Sequence, residues 1–113
     1  MYTDTHCHIS KEYYSDIKNI LENAHKFGID RVINNGCDSR SNKEVLELIT
    51  VYHNMYGAIG IHPEFVETYN KKDIQEIENN LSNPKIIAIG EIGLDYHYSK
   101  ENKEAQIELF EKQ

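Results

Sequence analysis

Tryptophan is absent from the chain, and cysteine and proline occur only twice each. Two cysteines, Cys7 and Cys37, are too few for the disulfide framework that holds small secreted domains together, so stability has to come from a buried core. A reduced, cytoplasmic setting is the simplest reading. No stretch approaches the roughly 20 consecutive apolar residues that would span a bilayer. The N-terminal run from Met1 to His6 lacks the basic and apolar regions of a signal peptide, so none is expected. Positive charge is also scarce: 12 Lys and Arg against 19 Asp and Glu leave a net charge of −7. A broad basic patch is therefore excluded as a way of binding a polyanion. A phosphate-bearing substrate would need its positive charge supplied locally, and a bound divalent metal is the obvious source. Linkers, low-complexity tracts and repeats are missing too.

What the 113 residues do contain is a strand–helix alternation. Residues 2 to 6 read as a strand. Ile17, Ile20, Leu21, Ala24 and Phe27 recur at helical spacing, with Ser15 as the expected N-cap and Gly28 as the C′ glycine. Arg31 to Asn34 reads as a second strand. Ser41-Asn42-Lys43-Glu44 has the form of a capping box ahead of Val45, Leu48, Ile49 and Tyr52. Tyr56 to Ile61 is a third strand, ending at His62-Pro63. Ile74, Ile77 and Leu81 mark a helix that stops before Pro84. Lys85 to Glu91 is the most apolar strand, and its composition suits cover on both faces. Glu101 to Gln113 reads as a fourth helix, on which Gln106, Phe110 and Gln113 share one stripe. Four βα units predict an α/β fold with a parallel sheet, either a small open domain or about half of a TIM-type barrel, which needs eight such units.

Three side chains at strand ends carry most of the chemistry. His6 and His8 are two apart, so in an extended chain both imidazoles face the same side, about 6 to 7 Å apart along the strand, where they can converge on one ion. Cys7 between them points away and belongs to the packing. Glu91 closes the most apolar strand, where a carboxylate is out of place unless a cation meets it. Its two oxygens suit it to bridging two ions. His62 follows the third strand and Asp95 the fourth, at the same rim. Asp95 either supports a metal ligand or makes an Asx turn. His25, His53 and His97 read as surface residues. Imidazoles ligate only when neutral, so metal affinity is expected to fall as pH drops through roughly 6.5.

Taken in order, Asp4-Thr5-His6-Cys7-His8, Gly60-Ile61-His62-Pro63 and Gly90-Glu91-Ile92-Gly93-Leu94-Asp95-Tyr96 resemble the successive motifs of the TatD family, metal-dependent hydrolases best known as deoxyribonucleases. The spacing of Gln106, Phe110 and Gln113 is similar to the segment after that family's fourth strand. The resemblance implies a TIM-type (β/α)8 barrel and divalent ions, with magnesium, manganese or zinc as candidates. It implies that His6 and His8 bind one ion and Glu91 bridges to a second, with His62 and Asp95 in substrate-binding or supporting positions. The family takes two further histidines and an aspartate from later strands, and these have no counterpart here.

The expected organisation is therefore residues 1–113 as the N-terminal half of a TatD-like barrel, truncated within or after the fourth helix. The parent activity would be phosphodiester hydrolysis, with DNA as substrate and the general base outside this chain, so the chain alone should be inactive. An exposed half-barrel surface would favour self-association. The competing readings are an ester or amide hydrolase of the same barrel group and a non-catalytic metal-binding module. A small open α/β domain with incidental histidines is the plainest alternative.

Overall fold

Three of the four helices among the described residues begin where a side chain satisfies an orphan amide of the first turn. In the computed structural model, which describes residues 1–97 and 100–113, helix α1 (Ile17–Lys26) is capped by Asp16, not by Ser15. The Asp16 carboxylate accepts from the Asn19 amide at 3.0 Å. Helix α2 (Ser39–Val51) also starts earlier than its sequence suggests. Asp38 and Ser41 form its capping box, so Ser41 sits at N3. Asp38 satisfies the same four-residue pattern three positions upstream and wins. Glu44, released from a capping role, accepts the Lys11 amide at 2.6 Å and ties the first loop to α2. Helix α3 (Lys71–Asn80) is boxed by Asn70 and Asp73, and helix α4 spans Lys103–Lys112. Gly28 follows α1 with φ +85°, the left-handed conformation that glycine adopts without a Cβ penalty.

The strands are β1 (Tyr2–Cys7), β2 (Ile29–Asn35), β3 (Met55–Ile59) and β4 (Ile86–Ile89), and a 3-10 turn (Pro63–Phe65) follows β3. They form one parallel sheet in the order β1-β2-β3-β4. That sequential order is the one a barrel requires. A doubly wound sheet reverses its strand order at a switch point, whereas a barrel advances one strand at a time. Here every step is to the next strand.

The core lies between the sheet and its helices. Leu48 and Ile49 of α2, Met55 and Ile59 of β3, Ile61 just beyond β3, and Leu109 of α4 are almost wholly buried. Burying a side chain of this size contributes about 1.5–3 kcal/mol. At β4 the sequence reading fails. The strand is shorter than Lys85–Glu91, and among its residues Ile86 is buried while Ile87 and Ala88 are exposed. β4 is an edge strand of this sheet, and Ile87 and Ala88, which point to opposite faces, are both open to solvent. Beyond the strands, β3 and β4 leave the sheet in close contact. A Cβ on Gly60 would lie 2.9 Å from the Gly90 carbonyl carbon and 2.8 Å from Ile92 Cγ2, so only glycine lets the two exits pass at this distance.

Candidate metal centre

β1 runs out at Cys7, and its last turn of pleat sends His6 and His8 to one side. The two Nε2 atoms stand 3.1 Å apart. Glu91, just past β4, brings Oε2 to 3.8 Å from His6 Nε2 and 3.5 Å from His8 Nε2. All three ligand atoms fall within 4.8 Å of one another. Ligands bonded at about 2.0–2.2 Å to a tetrahedral or octahedral ion are separated along each edge by about 3.0–3.5 Å. The observed separations run along that range and just past it, so two imidazoles and one carboxylate fit a single divalent cation.

The tautomer of His8 can be deduced. Its Nδ1 lies 2.9 Å from the Asn35 carbonyl oxygen, which can only accept. In the neutral ring Nδ1 therefore carries the proton, and Nε2 presents a lone pair to the cluster. This backbone carbonyl plays the part of the outer partner that orients most metal-ligating histidines. Glu91 is held through its main chain, its amide donating to the Gly36 carbonyl at 2.7 Å, which leaves the carboxylate available. Side chains of the trio are one-third to one-half exposed, so an ion and a further ligand have access.

Cys7 behaves as a packing residue. Its Sγ is directed at the Ile33 carbonyl at 3.3 Å on the other side of the strand. Burial, with a smaller contribution from Asp4, pushes the thiol from 9.0 up to about 12. A rise of that size leaves on the order of a thousandfold less thiolate at pH 8 than in an exposed cysteine. Iodoacetamide at pH 8 is expected to leave Cys7 intact while it fully alkylates a urea-unfolded control, as read by peptide mass spectrometry. Equal rates in both samples would mean that the thiol is open to solvent.

His62 lies beside the trio, on the wall of a cavity of about 520 Å³ that is also lined by His8, Glu91, Cys37, Arg40 and Phe65. It caps the 3-10 turn, with Nδ1 accepting from the Glu64 amide at 3.2 Å. The neutral ring then carries its proton on Nε2 and offers a donor, the opposite of His8. Asp95 sits in the loop after β4, where Oδ1 accepts the His97 amide at 2.8 Å in an Asx turn. His25, His53 and His97 are exposed, and His25 pairs with Asp30 at 2.8 Å.

Sequence reasoning missed a set of side-chain amides that hold this rim. A primary amide carries one acceptor and one donor side by side, so it can bind both main-chain groups of a single residue. Asn34 does this to Ile9, with its Oδ1 2.7 Å from the amide and its Nδ2 2.9 Å from the carbonyl. Asn42 does it to Gly60 at 3.1 and 2.8 Å. Gln106 holds Asp95 at 3.0 and 2.9 Å, and Gln113 holds Ile61 at 2.7 and 3.0 Å. The stripe expected on α4 thus splits: Gln106 is buried and Gln113 half-buried, while Phe110 is exposed. The available signal was polar residues where a core face was due, at Asn34 on β2 and Gln106 on α4.

Two imidazoles and a carboxylate thus stand together on the rim of a sequentially wound parallel sheet, a nitrogen-and-oxygen donor set suited to a divalent cation. The chain belongs to the TatD related DNase family, whose model matches residues 3–113. It is 35% identical to the metal-dependent hydrolase YabD of Bacillus subtilis, covering 100% of this chain and 45% of that protein. A human protein named 3'-5' RNA nuclease TATDN2 is 29% identical over 86% of this chain and 14% of its own length. The crystal structure of YjjV, a TatD homologue from Escherichia coli K12, superposes with a TM-score of 0.89 at 28% identity, covering 98% of this chain and 44% of that one. The chain thus spans less than half the length of these relatives, and its fold is half of their barrel.

Proposed function

We propose that His6, His8 and Glu91 bind a divalent cation, and that residues 1–113 form the N-terminal half of a domain that hydrolyses phosphodiester bonds in nucleic acid, DNA in the first instance. The observation that carries this reading is the convergence of the three ligand atoms within 4.8 Å. When bound, the ion supplies positive charge opposite the phosphoryl oxygens and acidity to the attacking water. The chain's own groups do the rest. The Asn35 carbonyl keeps the His8 lone pair turned inward. His62 offers an Nε2–H donor to a substrate oxygen from the wall of the cavity, and Asp95 supports the β4 exit through its turn. Histidine ligands favour zinc or manganese over magnesium. Two unpaired cysteines support a reducing, cytoplasmic location.

Two sheet edges, β1 and β4, and the half-exposed Ile87, Leu94 and Phe110 favour self-association of the chain. The test is a single preparation loaded with Mn²⁺ or Zn²⁺ and given single-stranded DNA and RNA. The 113-residue chain should sediment as a concentration-dependent dimer and give no chelator-sensitive cleavage. A full-length relative carrying these residues should cleave and should lose cleavage on His62→Ala. Robust chelator-sensitive cleavage by the chain alone, or a monomer at every concentration, would contradict the corresponding half of the proposal. Turnover of esters or amides but not of either nucleic acid by the full-length protein would favour the other hydrolase reading.

A further inference from the structure

The ligand His8 lies one residue beyond the end of β1, where the parallel ladder no longer holds the backbone. Cys7 is the last residue of β1 in register with β2, opposite Asn34. Past that point the first chain turns away, and main-chain pairing cannot follow it. The Asn34 side chain takes over. Its amide reaches Ile9 and satisfies both the amide and the carbonyl of that residue, at 2.7 and 2.9 Å. A carboxamide has the same donor–acceptor arrangement as a peptide group, so it extends the ladder by one step without any backbone. Asn34 is 1% exposed, and Ile9 is buried as well. His8 is therefore pinned on both sides along the chain. Cys7 is fixed before it by the sheet and by its thiol on the Ile33 carbonyl, and Ile9 is fixed after it by Asn34. The neighbouring residue, Asn35, fixes the ring.

We infer that Asn34 is a positioning residue for the metal centre, whose buried amide sets the place from which the His8 imidazole meets Glu91. The inference rests on the reading of His8 as a ligand. A buried amide whose oxygen and nitrogen both have partners is also a stabilising element, so the two roles have to be separated. Only the positioning role predicts an effect on the metal that exceeds what lost stability explains.

The experiment uses the 113-residue chain with Zn²⁺, in competition with a chromophoric chelator, and with Co²⁺ for its visible ligand-field spectrum. Asn34→Ala is compared with Asn34→Asp, His8→Ala and Ile77→Ala, the last a buried residue of α3 whose loss destabilises without touching the rim ligands. Circular dichroism sets a temperature at which each variant is folded. Asn34→Ala is expected to lose 10- to 100-fold in Zn²⁺ affinity, the range seen when an outer partner of a ligand is removed, and to shift the Co²⁺ spectrum. Ile77→Ala should melt lower yet keep both the affinity and the spectrum. Asn34→Asp keeps the acceptor for the Ile9 amide and gives up the donor, so its affinity should lie between wild type and Asn34→Ala, and it serves as the folded variant if alanine is not tolerated. Wild-type affinity and spectrum in a folded Asn34 variant, with His8→Ala impaired, would overturn the positioning role alone. Wild-type affinity in His8→Ala would overturn the metal reading and this inference with it.

Discussion

Glu91→Ala is expected to lower the affinity of the chain for Zn²⁺ by on the order of 100-fold or more, beyond the upper end of what loss of an outer partner costs. The reason is geometric. Glu91 is the one carboxylate that meets His6 and His8, at 3.8 and 3.5 Å, among the described residues that could hold a metal together. Without it, two neutral imidazoles 3.1 Å apart remain, and they offer no negative charge to a dication. The fold should survive, because the residue's structural hydrogen bond is made by its backbone amide to the Gly36 carbonyl, which alanine keeps. Glu91→Gln should fall between the two, since it retains an oxygen ligand but not the charge. Calorimetric titration beside circular dichroism reads both quantities. Unchanged Zn²⁺ affinity in Glu91→Ala would mean that the three side chains are neighbours and nothing more.

The second large effect concerns the core, and it compares two aliphatic side chains of similar size. Leu48→Ala removes a side chain that is 2% exposed and is expected to cost about 3 kcal/mol through lost burial and the cavity left behind. For a domain of this size that corresponds to a fall of roughly 10 °C in Tm. Ile87→Ala, on a residue 51% exposed, should cost well under about 1 kcal/mol. Thermal melts of the two variants at one protein concentration make the comparison. Equal losses would mean that the open face of β4 is covered in solution. Self-association through the sheet edges would do that, so the melts are best read beside sedimentation of the same samples.

Much of the fold was legible because it rests on local patterns. Apolar residues at helical spacing marked α1, α2 and α3, and the alternation with strands marked a parallel sheet. The errors were also local and had physical causes. Ser15 and Ser41 looked like caps, but Asp16 accepts the Asn19 amide and Asp38 the Ser41 amide, so each helix starts from the aspartate. β4 looked doubly covered because its composition is apolar, yet composition says nothing about a strand's place in the sheet, and at an edge Ile87 faces out. Gln106 and Gln113 were visible as a stripe. That each would clamp one residue of a distant strand exit was not, because those partners lie 11 and 52 residues away.

The candidate site divides in the same way. Sequence by itself determined which side chains could ligate: a His-x-His pair puts both imidazoles on one side of any extended chain, and an acid at the end of an apolar strand needs a cationic partner. It also determined that Cys7 faces away, since successive side chains alternate across any extended strand. Tertiary structure decided that Glu91, 83 residues away and just past the fourth strand, arrives beside the pair at the end of the first. It decided the His8 tautomer, because only folding brings the Asn35 carbonyl to Nδ1. Long-range placement depends on how strands twist and pack, which no short window of residues contains.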